Sequence, residues 1–498
     1  MPTEHLDVLI VGAGLSGIGA GYHLQTTCPA KRYAILESRA DLGGTWDLFR
    51  YPGVRSDSDM FTLGFSFRPW KEAKSIADGA SILKYLKDTA REFGIDRHIR
   101  FGHRVLSASY SSAEARWSVE VETADGTERH RFTCDFLFLC SGYYDYAQGY
   151  TPEFPGREAY TGQWVHPQQW PQDLDTRDKR ILVIGSGATA VTLVPALADT
   201  AAHVTMLQRS PTYIADLPSK DIVANAIRAV FPERAAHRLA RWKNVLMTMA
   251  FFQLCKRAPG LARKLLRLGV RKMLPKGYDV DTHFAPDYAP WDQRLCLVPD
   301  SDLFKAIGSG RASVETDHIE TFTRDGVRLR SGKELQADIV VSATGLKLLL
   351  LGGIRVSVDG ETINSGEQFV YKGLMVSNVP NFAFCVGYTN ASWTLRADLS
   401  ATYVCRLLNH MQRHGYRQCV PRCDPDRLEP QPLLNLNSGY ITRATDVLPK
   451  QGGEAPWRMP QNYLLDMKIM RFDPIEDPNL RFSREGAEPV LVVDGATA

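Results

Sequence analysis

Short apolar runs that end near a glycine recur along the chain and predict strands buried in parallel sheets. Such runs are typical of strands that are covered on both faces. Four runs share this pattern: Leu6–Val11, Phe136–Gly142, Lys179–Ile184 and Ala337–Gly345. Together they indicate an α/β protein.

Other stretches follow a helical or an alternating pattern. Ala80–Phe93 has the spacing of an amphipathic helix, and Thr389–Ser392 is expected to open a helix that runs to about His410. Val105–Tyr110 and Trp117–Val121 alternate between apolar and polar residues. This alternation predicts an antiparallel ribbon.

The first glycine-rich turn follows Val11 and has the pattern of a dinucleotide site. Gly12 would make the tight turn, Gly14 would let a pyrophosphate approach the backbone, and Gly17 would let the next helix pack on the strand. A second strand, Tyr33–Leu36, ends at Glu37, 20 residues after Gly17. A carboxylate there accepts hydrogen bonds from ribose hydroxyls, so the whole segment predicts a bound dinucleotide.

A second turn of the same kind follows Ile184. It comprises Gly185, Ser186, Gly187, Ala188, Thr189 and Ala190. The next strand, His203–Leu207, is followed by Arg209 and Ser210 instead of an acid. An arginine there favours a 2′-phosphate, and therefore NADPH over NADH, although a solvated surface arginine is the alternative.

A loop with paired glycines follows the first motif and is expected to pass along a ligand. Its candidate binding residues are Gly44, Thr45 and Trp46. Asp57, a little further on, is a candidate active-site carboxylate or a simple turn residue. No cysteine lies between Cys28 and Cys134, which argues against disulfide-reductase chemistry.

The stretch between the two turns, Tyr160–Gln172, resembles the signature F-x-G-x-x-x-H-x-x-x-W-P of the type I Baeyer–Villiger flavin monooxygenases. The matching positions are Gly162, His166, Trp170 and Pro171. Tyr160 replaces the usual Phe, and Gln172 departs from the last position. Without this resemblance, the stretch would be interpreted as a buried linker with a Trp-Pro turn.

Three further segments resemble the ethionamide-activating group within that family: Tyr51–Met60, Pro290–Cys296 and Gly387–Thr394. The resemblance implies an FAD-dependent, NADPH-consuming monooxygenase. Such an enzyme inserts one oxygen atom of O2 into ketones through a C4a-peroxyflavin, giving esters or lactones. It also implies S-oxidation of sulfides or thioamides.

The resemblance also assigns roles to single residues. Arg294 stands where the family has its catalytic arginine, and Asp57 would orient it. Gly345 would end the strand that returns to the FAD domain, and the position of His166 in the chain suggests a hinge or an interdomain hydrogen bond. The family often has a lysine where Gln293 stands, which leaves the second contact to a 2′-phosphate open. Without the family, Arg294 would be a plain ion-pair residue.

The expected fold class is α/β, with two Rossmann-type dinucleotide-binding domains, the NADP domain inserted in the FAD domain, and a helical insert. The predicted boundaries are 1–145 for the first part of the FAD domain, 146–217 for the first part of the NADP domain, 218–290 for the helical insert, 291–344 for the second part of the NADP domain, and 345–498 for the second part of the FAD domain with a C-terminal wrap.

Composition excludes several other classes. The chain of 498 residues is 44% hydrophobic and 23% charged, and its net charge of +3 is too small to imply a nucleic-acid partner. Nine scattered cysteines favour a reducing compartment and predict no metal site. With no signal peptide and no bilayer-spanning run, a cytoplasmic protein is expected.

The helical insert has an unusual charge. From Arg234 to Lys276 there are twelve Lys or Arg residues and no Asp or Glu, with Phe and Leu interleaved. This pattern fits either a helical cap over the active site with a solvated basic face or peripheral contact with the inner face of the cell membrane. The two interpretations are compatible.

Two other functions share most of these features. One is an N- or S-oxygenating flavin monooxygenase without ketone activity, which would lack the roles expected of Trp170, Pro171 and Arg294. The other is an NADPH-binding flavoprotein that acts as an oxidase or a redox sensor. Release of peroxide without product would mark the oxidase, and negligible turnover would mark the sensor.

Overall fold

The computed structural model describes residues 3–434 and 436–484. Its strands are β1 (Glu4–Val11), β2 (Tyr33–Leu36), β3 (Ile99–Arg100), β4 (His103–Ser111), β5 (Arg116–Thr123), β6 (Arg129–Leu139), β7 (Tyr144–Gly149), β8 (Gln163–Val165), β9 (Arg180–Ile184), β10 (His203–Gln208), β11 (Ile214–Leu217), β12 (Cys296–Pro299), β13 (Ala312–Thr316), β14 (Ile319–Thr323), β15 (Gly326–Leu329), β16 (Glu334–Gln336), β17 (Ile339–Ser342), β18 (Leu346–Leu348), β19 (Arg355–Val358), β20 (Glu361–Thr362), β21 (Val370–Tyr371), β22 (Met375–Val376), β23 (Phe382–Phe384), β24 (Gln418–Pro421), β25 (Gln431–Pro432), β26 (Lys450–Gln451) and β27 (Leu480–Ser483).

The α-helices are separated from these strands by short loops and 3-10 turns. They are α1 (Leu15–Thr27), α2 (Thr45–Leu48), α3 (Met60–Leu63), α4 (Gly79–Glu92), α5 (Ala188–Leu197), α6 (Ile222–Val230), α7 (Glu233–Arg257), α8 (Pro259–Met273), α9 (Val280–His283), α10 (Asp302–Gly308), α11 (Trp393–His414), α12 (Gly439–Thr442) and α13 (Tyr463–Arg471). Within the described residues, no helix is both long enough and apolar enough to pass through a bilayer.

The larger sheet has nine strands in the order β20-β19-β4-β5-β6-β1-β2-β3, with β23 also paired to β6. β1 lies between β2 and β6 and is parallel to both. β4, β5 and β6 form an antiparallel meander, so the predicted ribbon is present and continues into a third strand. Helices α1, α4 and α11 contribute buried residues to the core on one face of this sheet.

The second sheet has five strands in the order β13-β10-β9-β17-β8, and all of its pairs are parallel. The parallel strands β1, β2, β3, β6 and β23 of the larger, mixed sheet and the all-parallel second sheet confirm the predicted α/β class with two Rossmann-type domains. In the larger sheet, strand β6 ends at Leu139, and the next strand of that sheet along the chain, β19, begins at Arg355. The exact domain boundaries remain a prediction.

The two crossings between the sheets run side by side. β7 leaves the larger sheet, β18 returns to it, and the two strands pair antiparallel. A helical segment, α6 to α9, is inserted between β11 and β12, which form a parallel pair at its base. The C-terminal segment packs against the larger sheet, where buried residues such as Leu433, Leu436 and Ile441 join its second core cluster.

Two predicted helix starts differ from the structure. The pattern after Gly17 predicts the first helix from Ile18 to about Gln25, but the helix begins at Leu15, because the turn leads directly into it from Gly14. Of the segment Thr389–Ser392, expected to open the later helix, only Ser392 does so, as the N-cap of a helix that begins at Trp393 and runs to His414. Thr389 is held in a loop instead, since its backbone amide and its hydroxyl both donate to the side chain of Gln461.

Candidate active site

The first turn closes so tightly that no side chain fits at Gly12 or at Gly17. Gly12 has a φ of +101°, and a Cβ there would lie 2.6 Å from the carbonyl oxygen of Cys140. A Cβ on Gly17 would lie 1.9 Å from the carbonyl oxygen of Gly12. Gly14 is the N-cap of α1 and has no side chain to cap it, so the first amides of the helix stay available for an anionic ligand.

Glu37 stands beside this turn at the end of β2. The side chain is 5% exposed, and its carboxylate accepts hydrogen bonds from the amides of Ala13 (2.8 Å) and Arg39 (2.9 Å). Burial raises the pKa of Glu37, and these hydrogen bonds oppose that shift. The carboxylate is therefore fixed where a ribose would lie if a dinucleotide pyrophosphate sat on the turn.

The second turn repeats the backbone of the first. Gly185 has a φ of +134°, and Gly187 (φ −79°, ψ −175°) matches Gly14 (φ −77°, ψ −170°) at the start of the helix. Ala188 begins α5, and a Cβ on Gly187 would meet nothing within 4 Å. This turn presents an open backbone surface that suits a second pyrophosphate.

Beyond β10, Arg209 and Ser210 are both exposed. The preceding residue, Gln208, is buried and donates its amide to the carbonyl of His283 and the hydroxyl of Thr316, both at 2.8 Å. Among the described residues, Arg209 forms no salt bridge. Its guanidinium is therefore available to an anionic ligand at the position predicted for a 2′-phosphate.

The paired-glycine loop lies against the first turn. A Cβ on Gly44 would lie 3.1 Å from the Cα of Gly14, so only a bare backbone allows this approach. The hydroxyl of Thr45 is 3.2 Å from that of Tyr146 in β7. Trp46 packs, partly buried, against the core of the larger sheet. The loop thus connects the first turn with one of the two crossing strands.

The next loop reaches the second domain. A Cβ on Gly53 would lie 2.8 Å from the Cβ of Ala196 in α5, and Arg55 pairs with Asp302 at 2.5 Å. Burial raises the pKa of Tyr51 to about 12, while the nearby Thr189 hydroxyl of the second turn lowers it. This loop carries Asp57 to the junction of the two nucleotide domains.

Arg294 and Asp57, the two predicted catalytic residues, meet at this junction. Nη2 of Arg294 is 2.8 Å from Oδ2 and 3.0 Å from Oδ1 of Asp57. Both side chains remain partly open, with exposures of 33% and 28%. Asp57 raises the pKa of Arg294 further, so the guanidinium is permanently charged.

Three tyrosines that the sequence did not suggest lie near enough to Arg294 to affect its charge. Tyr143, Tyr144 and Tyr440 all contribute to the raised pKa of Arg294, after Asp57. The hydroxyls of Tyr143 and Tyr144 are 2.8 Å apart, and the ring of Tyr143 stacks on Trp393 with a centroid distance of 5.1 Å. The Tyr-Tyr pair at the end of an apolar run was a usable sequence signal.

Tyr440 gave no such signal, because it lies in the C-terminal segment, which was predicted only to wrap around the domain. Its helix α12 also carries Ile441 into the core of the larger sheet. The backbone amide of Asn437 donates to the carbonyl of Asp292, two residues before Arg294. The C-terminal segment is therefore part of the site.

His166 touches both crossing strands. Its Nε2 is 3.3 Å from the carbonyl of Gly345, and its Nδ1 accepts from the amide of Gln168 at 3.2 Å. The ring lies so close to Gly149 that a Cβ there would be 1.9 Å from Cε1. Gly345 itself has a φ of +115°, and its carbonyl also accepts from the amide of Tyr150 at 3.1 Å.

The other signature residues support this contact. A Cβ on Gly162 would lie 2.7 Å from the carbonyl of Asp338, so the position requires glycine. Tyr160 stands where the signature usually has Phe. Its hydroxyl, which a Phe would lack, donates to the carbonyl of Ala337 at 3.1 Å. Trp170 packs partly buried against the core of the second sheet, while Pro171 is exposed.

A fold with two Rossmann-type domains and a charged pair at their junction defines a class of two-nucleotide flavoproteins. Residues 7–221 match the family model described as flavin-binding monooxygenase-like. The chain is 55% identical over 486 residues to the FAD-containing monooxygenase EthA of Mycobacterium tuberculosis, covering 97% of this chain and 99% of the relative. It is 49% identical over 487 residues to the probable FAD-binding monooxygenase AlmA of an Acinetobacter species, covering 97% and 98%. The chain belongs to this family of flavin-binding monooxygenases, and the resemblance expected from the motifs is confirmed.

Solved structures share the fold. An oxidized steroid monooxygenase bound to NADP has a TM-score of 0.76 at 22% identity, covering 96% of this chain and 99% of that one. A cyclohexanone monooxygenase from Rhodococcus sp. Phi1 bound to NADP+ has a TM-score of 0.70 at 21% identity, covering 84% and 87%.

Proposed function

We propose that this flavin monooxygenase uses FAD and NADPH to insert one oxygen atom of O2 into ketones, giving esters or lactones. The net reaction converts ketone, O2, NADPH and a proton into ester, water and NADP+. The observation that carries the proposal is the pair formed by Arg294 and Asp57 between the two nucleotide turns. The steroid and cyclohexanone monooxygenases among the similar structures support it.

The residues present fit both cofactors. FAD would be held by Gly12, Gly14 and Gly17, by Glu37, and by the loop of Gly44, Thr45 and Trp46. NADPH would be held by Gly185, Gly187, Ala188 and Thr189, with Arg209 and Ser210 at its 2′-phosphate. Bound FAD would supply the oxygen-activating chemistry, and bound NADPH would supply the hydride.

Arg294 would act on the ketone oxygen. This oxygen gains negative charge as oxygen insertion begins, and a fixed cation with planar donors stabilises it best. Asp57 would orient the guanidinium through charge-assisted hydrogen bonds, since two of its oxygens lie within 3.0 Å of Nη2. The exposure of Arg294, 33%, leaves part of the group free for a substrate.

His166 would serve as a hinge between the two crossing strands. It touches β7 at Gly149 and, at Gly345, the residue directly before β18, so any rotation of one domain on the other must change its contacts. Burial keeps the pKa of His166 low, which favours the neutral ring. A hydrogen-bonding role suits this ring better than a role as a base.

The substrate class would extend to sulfides and thioamides, because transfer of one oxygen atom to sulfur needs the same cofactors. A cytoplasmic location is proposed because all nine cysteines are free thiols, eight of them buried. An N- or S-oxygenating enzyme without ketone activity, or an oxidase, would differ from this proposal in the products formed.

The test compares the wild-type holoenzyme with Arg294→Ala on a linear ketone. Ester is measured by gas chromatography, NADPH by absorbance, and peroxide by a coupled assay. The wild type should form ester in step with NADPH consumption. Arg294→Ala should keep bound flavin and flavin reduction by NADPH, yet lose ester formation by about 1000-fold, as expected on loss of a key charge-stabilising donor.

Two outcomes would contradict the proposal. Normal ester formation by Arg294→Ala would remove the catalytic role of this residue. Prompt peroxide release by the wild type, with neither ester nor sulfoxide, would leave an oxidase.

A further inference from the structure

Exposed apolar side chains are concentrated on the helical insert. Of the seventeen exposed large hydrophobic residues in the described chain, eleven fall within residues 217–268. They are Leu217, Ile222, Val223, Val230, Phe231, Leu239, Leu246, Met247, Leu261, Leu265 and Leu268. α6 packs on α7 and α7 packs on α8, so all of these residues except Leu217, which ends β11, belong to one connected helical unit. A concentration of this kind marks an interaction surface.

Helix α8 shows the pattern most clearly. Leu261, Leu265 and Leu268 recur at intervals of four and three residues, which places them on one face, and each is 51% exposed. Ala262 and Val270, on the opposite side, are buried. The helix therefore lies flat on the protein and turns an apolar stripe outward.

Cations flank the stripe. Lys264, Arg271 and Lys272 are exposed on α8, and the wider stretch from residue 234 to 276 contains twelve Lys or Arg and no Asp or Glu. Asp281 in α9 pairs with Arg271 and with Arg267, so part of this charge is balanced within the insert. Lys264 and Lys272 form no salt bridge among the described residues.

An anionic lipid surface matches both features. A second copy of the chain would bring the same uncompensated cations face to face, which like-charge repulsion disfavours. An interfacial helix, by contrast, buries its apolar stripe at the boundary of the acyl chains while flanking lysines meet anionic headgroups. We propose that the helical insert binds anionic membrane surfaces, with Leu261, Leu265 and Leu268 as the inserted residues.

The bound insert would sit beside the active site. Lys256 at the end of α7 donates to the carbonyl of Trp291 (3.2 Å) and to Asp292 (3.1 Å), next to the segment that carries Arg294. Arg263 of α8 donates to the hydroxyl of Tyr213 at 3.1 Å. Membrane binding does not itself depend on the oxygenase activity, so the two proposals can fail separately.

The test is co-sedimentation of the full-length, flavin-loaded protein with vesicles of phosphatidylcholine alone or mixed with phosphatidylglycerol. The wild type should sediment with the mixed vesicles, less so at high salt, and weakly with the neutral ones. The triple variant Leu261→Ser, Leu265→Ser and Leu268→Ser should bind the mixed vesicles at least roughly tenfold more weakly. Its flavin absorbance and NADPH oxidation should be unchanged.

The matched control variants replace exposed apolar residues that lie outside the helical insert. Phe101→Ser and Val447→Ser should bind as the wild type does, because these residues lie outside the insert. If the triple variant fails to fold, Leu265→Ser alone and Lys264→Ala take its place, and each should weaken binding to the mixed vesicles only.

Three results would overturn the proposal. The wild type could stay in the supernatant with both vesicles, or bind both equally whatever the variant. Light scattering could also show a wild-type dimer that the triple variant converts to a monomer, without vesicle binding, and the face would then be a contact between copies.

Discussion

At the residue scale, Arg209 is the side chain that would discriminate NADPH from NADH. Glu37 ends the equivalent strand of the first motif with a carboxylate, whereas Arg209 offers an exposed guanidinium. A charge-assisted contact to a 2′-phosphate is worth about 1.5–3 kcal/mol. Arg209→Ala should therefore raise the KM for NADPH roughly 10- to 100-fold.

NADH is the internal control for this prediction. NADH lacks the 2′-phosphate. The steady-state constants measured with NADH should therefore change by less than about twofold in Arg209→Ala, because substitution of an exposed residue usually changes the free energy by less than about 0.5 kcal/mol. An equal loss with both cofactors would show that Arg209 supports the structure of the turn and does not contact the phosphate.

His166 gives the second residue-scale prediction, a dependence on pH. Burial lowers the pKa of His166 from its ordinary value of 6.5, and the hydrogen bond to Gly345 opposes that shift. Because the folded pKa lies below the unfolded one, the neutral ring stabilises the fold fully above pH 6.5 and loses this contribution as the pH falls further. Protonation of Nδ1 would also break the bond from the amide of Gln168.

Coupling of NADPH consumption to product should accordingly be intact at pH 6.5 in the wild type and should decrease only as the pH falls through the lowered pKa of His166 in the folded enzyme. The measurement is the ratio of ester formed to NADPH consumed across this range. His166→Gln keeps a donor but cannot be protonated, so its ratio should stay flat. A variant with the wild-type pH profile would assign the dependence to another group.

At the element scale, α7 holds α3 in place behind Asp57. Nη1 of Arg241 donates to the carbonyls of Phe61 (2.9 Å) and Gly64 (2.8 Å), and Asn244 donates to Asp59, the N-cap of α3, at 3.0 Å. These contacts connect the helical insert to the loop of the catalytic pair. At least one basic residue of the insert, Arg241, is therefore buried and stabilises the structure beside this loop.

Arg241→Met keeps the stem of the side chain and leaves the carbonyls without their donor. The free energy of unfolding should fall by about 3 kcal/mol, and ester formation should slow because Asp57 is less well positioned. Chemical unfolding and steady-state kinetics measure the two effects. Arg238→Met, an exposed residue of the same helix, should change stability by less than about 0.5 kcal/mol. Equal effects of the two variants would contradict this role for Arg241.

At the scale of the whole molecule, a buried ion pair fastens the C-terminal segment to the flavin-type domain. Arg396 of α11 is fully buried and pairs with Asp466 of α13, which also accepts from the hydroxyl of Tyr388 at 2.7 Å. Asp466→Asn would leave the guanidinium without a counter-charge. It should therefore lower the free energy of unfolding by about 3–5 kcal/mol.

The control is an exposed pair of the second domain. Glu320→Gln removes the partner of Arg328, and its cost should be about 0–1 kcal/mol. Thermal and chemical unfolding of both variants give the comparison. A cost for Asp466→Asn as small as that of Glu320→Gln would show that the C-terminal segment is held by its apolar contacts alone.

The sequence by itself determined the parts of this protein that depend on short-range backbone constraints. Two turns that require glycine at their first positions, Gly12 and Gly185, each between a buried strand and a helix, led to the two nucleotide-type sheets and to Glu37 beside the first turn. His166, between the two turns, was singled out by the resemblance of its stretch to the family signature. These features span at most a few dozen residues, over which local sterics and hydrogen bonding leave few alternatives.

Only the tertiary structure brought distant residues together. Arg294 and Asp57 are 237 residues apart, and Tyr440 reaches them from a segment that has no motif of its own. The outward face of α8 likewise depends on which side of the helix the rest of the protein covers. Such contacts are decided by how whole domains pack, and no local pattern of residues specifies that packing.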